Sequence, residues 1–121
     1  MAAETALFIG WGAVQTGRER DAIKVFDEAV QYYGSLQQQG QIESFEPYAL
    51  EPHGGDLWGF ILLHGDLDKL NQVRYSEEFV RILDRAITVV NSPGIITAFT
   101  GQRLQTQLQT NQQNITDIVE R

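Results

Sequence analysis

Ala6-Leu7-Phe8-Ile9-Gly10-Trp11-Gly12-Ala13-Val14 is the stretch on which the fold turns. With the two-residue period of a strand, Leu7, Ile9, Trp11 and Ala13 fall on one face. Phe8, Gly10, Gly12 and Val14 fall on the other. Neither face is polar, and a strand apolar on both sides is covered on both sides. Residues 57–64 repeat the pattern, with Trp58, Phe60 and Leu62 set against Leu57, Ile61 and Leu63 before His64. Both stretches are therefore expected at the centre of a sheet.

Working outward, Thr16-Gly17-Arg18-Glu19 fits a capping box that opens a helix. Ala22, Val25, Phe26, Ala29, Val30, Tyr33 and Leu36 then recur at helical spacing. Gly40 is the expected stop, and Gly34 interrupts the pattern as a weak helix former. Residues 42–51 predict a second strand. Pro47 and Pro52 place it at a sheet edge, because proline cannot donate to a ladder. His53-Gly54-Gly55-Asp56 is a turn leading into the third strand. Asp66 and Ser76 are expected caps for two consecutive helices, the second carrying Glu77 and Glu78 in its first turn. Asn91-Ser92-Pro93-Gly94 ends that helical region, and residues 95–100 predict a fourth strand. The resulting β-α-β-β-α-β order is the ferredoxin-like signature: α+β, with a four-stranded antiparallel sheet. Residues 102–121 are rich in Gln, Thr and Asn, yet Leu104, Leu108, Asn111, Ile115 and Ile118 are spaced 4-3-4-3. That heptad seam predicts an extra C-terminal helix that packs on a neighbouring surface, its own domain or another subunit.

Composition bounds the function. The chain has 121 residues, the length of one domain (1–121, with a core at 6–100 and an extension at 101–121). The absence of cysteine excludes disulfides, thiolate metal sites and a cysteine nucleophile. With 16 acids against 9 bases the formal net charge is −7, which disfavours a nucleic-acid partner. No signal peptide and no apolar run of membrane-spanning length is visible, so a cytoplasmic protein is expected.

In this order of elements, in its double-sided strands and in the helix break at Arg74-Tyr75-Ser76-Glu77-Glu78-Phe79, the chain resembles the dimeric α+β barrel superfamily. NIPSNAP-like proteins, antibiotic-biosynthesis monooxygenases and haem-degrading monooxygenases belong to it. The resemblance spans residues 6–100. It implies that two sheets meet through their open faces, enclosing a barrel whose interior can hold a small apolar or aromatic ligand. A homodimer is thus the expected assembly, with a higher oligomer through residues 102–121 as a further expectation. The haem-degrading members use an inward Asn, Trp and His. Here the strands hold no Asn, since Asn71 and Asn91 lie on or beside the second helical region, and no cofactor is expected. The cofactor-independent monooxygenases and isomerases, acting on aromatic or polyketide-like substrates, are the catalytic alternative.

The candidate residues follow from strand position. His64 closes an apolar strand and is the one candidate general base, against the alternative of a strand-end histidine bonded to backbone. Trp11, Gln15, Tyr48, Trp58 and Thr97 are candidate ligand contacts if their faces line the barrel. Tryptophans in such positions are more often core or interface. His53 sits in a glycine turn and is expected in solvent. The spacing of the two histidines, Glu51 and Asp56 matches no metal-ligand pattern, so no metal is expected. Gly10-Trp11-Gly12 lacks the third glycine and the Lys-Ser/Thr of a phosphate loop.

Overall fold

A computed structural model of the chain describes residues 3–119. Met1, Ala2, Glu120 and Arg121, the last two belonging to the expected tail helix, lie outside the described residues. The elements are β1 (Thr5–Trp11), α1 (Glu19–Gln38), β2 (Ser44–Ala49), β3 (Gly59–His64), α2 (Leu67–Arg74), α3 (Glu77–Ile87), β4 (Gly94–Phe99) and α4 (Gly101–Val119). All strand pairs are antiparallel, and the sheet order is β2-β3-β1-β4. This is the ferredoxin-like fold with an added C-terminal helix. As expected, β1 and β3 are central and the proline-bearing β2 is an edge.

Register assigns the two faces. Leu7 pairs with Leu63 and Thr97, and Ile9 with Ile61 and Ile95. With Trp11 and Phe45 these positions face the helices, where Leu7, Ile61 and Leu63 join Tyr33, Leu36, Leu70, Val73, Phe79 and Ile82 in the core. The alternate positions, Phe8, Phe60, Leu62, His64, Glu46, Tyr48 and Ile96, form the opposite face, on which no helix packs among the described residues. Phe60 stacks on Phe8 at 5.0 Å and on Tyr48 at 4.8 Å, so an aromatic ladder crosses three strands of that open face. Gly10 makes room for the ladder: a Cβ there would lie 2.7 Å from the Phe8 ring.

The helix ends are explained by local chemistry. Asp66 accepts from the Lys69 amide and Ser76 from the Phe79 amide, both at 3.3 Å, as their positions predict. Gly40, at φ +76°, closes α1: its amide bonds the Gln37 carbonyl and the Gln41 amide bonds that of Leu36. That double bond pattern is the Schellman arrangement. The start of α1 departs from expectation. Gly17 takes φ +82°, which delays the helix to Glu19 with Arg18 as cap, and Arg18 makes no side-chain cap bond. The Glu19 carboxylate instead accepts from the Gly17 amide at 3.3 Å, so the Thr16 capping box does not form. Between the helices, Arg85 donates twice to Glu28, at 2.6 and 3.2 Å. That bond holds the Glu28 carboxyl below its ordinary range.

Gly34 lies within α1 without ending it, and a Cβ there would meet nothing within 4 Å. Gly34→Ala should therefore raise unfolding free energy by about 0.5–1 kcal/mol, measured by urea denaturation. A neutral or destabilising result would contradict the open, unstrained helical position found for Gly34.

Candidate functional site

The helices do not close completely over the sheet. Between α1, α3 and the β1–β4 half of the sheet runs an apolar cleft of about 420 Å³. Its origin is visible in residue size. Ala22 and Ala29 on α1 and Ala86 on α3 stand where larger side chains would fill the space, and Trp11, Phe26 and Ile82 form the walls. Trp11 meets Phe26 edge-on at 6.1 Å. At the mouth Ile23 is largely exposed, and Glu19 is the lining carboxylate. Tyr33 lines the inner end, its phenol pushed up by burial and so held neutral. A volume of this order is typical of small-molecule sites, about 300–1,000 Å³, and such sites are lined mainly by apolar groups. Long-range sequence spacing gave no sign of this cleft, because it arises from alanines on two different helices.

A second cluster lies across the sheet. His64 Nε2 is 2.6 Å from Glu46 Oε1, and the Tyr48 hydroxyl donates to Glu46 Oε2 at 3.0 Å. Register brings these together: His64 pairs with Ser44 and Tyr48 with Phe60, so all three side chains share the open face of β2 and β3. The His64 bond, with help from Tyr48, lowers the Glu46 pKa, and Glu46 in turn raises that of Tyr48. Glu46 was not singled out from sequence. Its signal is the i, i+2 relation to Tyr48 on a strand facing His64, and it becomes readable only once the register is known.

The expected site residues thus divide between the two sides. Trp11 is in the cleft, and Thr97 shares its side of the sheet without lining the cleft. His64 and Tyr48 stand on the open face. Trp58 precedes β3 and is 53% exposed. Gln15 follows β1, and its amide donates to the carbonyls of Ile87 and Val90 at 3.2 and 3.3 Å, tying the end of α3 to the exit of β1. His53 is exposed. Its Nδ1 accepts from the Gly55 amide at 3.3 Å and its Nε2 lies 2.8 Å from the Leu57 carbonyl, an arrangement met by the neutral Nε2–H tautomer. Among the described residues no three His, Asp or Glu side chains converge as a metal site, and no helix is long and apolar enough to cross a membrane.

The fold is shared with solved structures. A dimeric protein of unknown function and ferredoxin-like fold from Bacteroides fragilis aligns with a TM-score of 0.58 at 11% identity, covering 82% of this chain and 99% of that one. A DABB family protein with a ferredoxin-like fold from Mesorhizobium loti aligns at 0.62 and 12% identity, covering 81% and 98%. A Caulobacter crescentus protein assigned as an antibiotic biosynthesis monooxygenase aligns at 0.57 and 11% identity, covering 82% and 92%. These likenesses agree with the architecture read from the sequence, and at such identities they speak to fold alone. No protein-family model matches the chain, and no curated protein matches its sequence.

The lowered Glu46 pKa carries a linkage. A carboxyl whose folded-state pKa is depressed stabilises the fold above its ordinary value, here 4.5, and loses that contribution as pH falls through the lower folded value. His64→Ala should move the Glu46 carboxyl resonance titration upward toward 4.5 in carbon-13 NMR. An unchanged midpoint would dissociate the two groups.

Proposed function

We propose that the protein is a homodimeric α+β barrel domain that binds a compact apolar or aromatic ligand. The observation that carries the ligand is the cleft of about 420 Å³ walled by Trp11, Phe26 and Ile82. In this reading the ligand enters past Ile23 and stacks against Trp11, and burial of its apolar surface supplies the affinity. Tyr33, neutral at any working pH, is the polar group nearest the inner end. The homodimer draws its support from the aromatic open face, which in a monomer leaves Phe8, Phe60, Tyr48 and Ile96 without a covering layer. The dimeric Bacteroides neighbour shares the fold that would present this face.

The catalytic alternative is a cofactor-independent monooxygenase or isomerase. Its support is the name carried by the Caulobacter neighbour, together with His64 oriented by Glu46 as a candidate base. That pair lies on the other side of the sheet from the cleft, which favours ligand binding over turnover in the cleft.

Trp11 makes the reading measurable. The chain has two tryptophans, so Trp58→Phe leaves Trp11 as the sole emitter. Titrating that variant with naphthalene should quench or shift Trp11 emission saturably. Adding Ala86→Phe, which fills the cleft from α3, should weaken the response roughly tenfold or more, a loss of about 1.4 kcal/mol. Circular dichroism would verify that the double variant is folded. A linear, non-saturating response, or equal binding by the folded Ala86→Phe variant, would contradict the proposal.

A further inference from the structure

α4 leaves the sheet at its β4 edge, and among its described residues none is buried. Its root is well held. Glu4 accepts from the Arg103 amide at 2.8 Å, and the Arg103 guanidinium lies 5.2 Å from the Phe99 ring centre. Beyond the root the apolar seam is open to solvent: Leu104 is 42% exposed, Leu108 58%, Ile115 47% and Ile118 60%. A lone helix has little stability of its own in water without a packed apolar face, and this one carries the weaker helix formers Thr and Asn among its glutamines. Its stability calls for something against the seam.

We infer that the occupant is the α4 of a second copy, docked antiparallel across a two-fold axis near Asn111. Three observations lead there. The first is the spacing. Leu104 and Ile118 stand seven residues either side of Asn111, and Leu108 and Ile115 stand three before and four after. Reversing the helix lays apolar positions on apolar positions, the self-complementarity that an isologous contact requires.

The second is charge. The whole chain carries −7, but residues 101–121 hold two bases, Arg103 and Arg121, and two acids, Asp117 and Glu120. The extension is therefore neutral and the body carries the full −7. Two bodies of like charge repel, and an antiparallel pair sets them at opposite ends of the helices. Nineteen residues span about 28 Å at 1.5 Å per residue, several Debye lengths at physiological salt, where one is about 8 Å. A parallel pair would set the bodies side by side. Opposed helix dipoles favour the same orientation.

The third is Asn111 itself. Its carboxamide now accepts from Gln107 at 3.2 Å and has donors to spare. Facing its own mate across a dyad it can exchange hydrogen bonds reciprocally, and one polar residue in an apolar seam fixes register at a cost in stability. This contact is separate from the open sheet face. A chain with two different self-complementary patches builds a closed tetramer or, where the geometry does not close, a filament.

Full-length protein lacking natural cysteine allows a direct test by oxidative cross-linking. Asn111→Cys should form an intermolecular disulfide dimer readily under mild oxidation. Thr106→Cys, on the outer side of the helix, should not. Light scattering supplies the second arm. Leu108→Glu with Ile115→Glu should lower the solution mass by half, and Asn111→Leu should shift association to lower concentration. Equal cross-linking at 106 and 111, or an unchanged mass for the glutamate variant, would overturn the inference. The sheet-face dimer is judged independently: if it fails while α4 pairing holds, the wild type is a dimer that the glutamate variant converts to monomer and Phe60→Glu leaves intact. A wild type that is monomeric at every concentration would overturn both.

Discussion

Strand β1 carries large apolar side chains on both of its faces, and most of the architecture answers to that constraint. Leu7, Ile9 and Trp11 need cover on one side, and α1 and α3 supply it. Phe8 needs cover on the other, where Phe60 of the neighbouring strand stacks beside it. A one-residue slip in register would exchange these two sets, so the helix-side core and the open-face ladder fix the register together. The cleft and the His64–Glu46–Tyr48 cluster then fall on opposite sides of one sheet as a consequence of parity. The sheet separates a place where a ligand fits from a place where titratable groups meet.

Packing on the helix side is uneven, and the unevenness has a chemical basis. Toward the His64 end, Tyr33, Leu36, Leu63, Leu70 and Phe79 interlock and are almost wholly buried. Toward the Trp11 end, the alanines of α1 and α3 leave space that no protein atom occupies. The Glu28–Arg85 pair bridges these two helices on the outer side, holding the spacing that alanine packing alone would not enforce. Sequence positions 22, 29 and 86 thereby decide whether the domain has an interior site.

The fold was legible because its signals are local. Asp66 and Ser76 cap the helices their positions predict, Gly40 ends α1, and Pro47 sits on an edge strand. The Thr16 capping box was misleading because Gly17 adopts a left-handed conformation that a pattern of side-chain types does not register. The site was largely illegible for a different reason. Glu46 meets His64 through strand pairing across 18 positions, and the cleft depends on what two distant helices omit. Trp11, expected as a barrel contact, faces the helices and lines the cleft, whereas Gln15 is engaged with the carbonyls at the end of α3. The tail seam was visible as a 4-3-4-3 spacing, and its exposure, rather than its spacing, is what the structure adds.

The central claim is that a second copy covers the open sheet face. Hydroxyl-radical footprinting read by mass spectrometry addresses it residue by residue. Tyr75, 75% exposed, and Ile87 on α3, 50% exposed, stand on the helix side and serve as internal references for free solvent. At micromolar concentration Phe8, Tyr48 and Phe60 should be protected relative to those references, and dilution should release the protection of all three together. Oxidation of Tyr48 and Phe60 at a constant ratio to Tyr75 across the dilution series, at the level their exposure in a single chain predicts, would contradict the account.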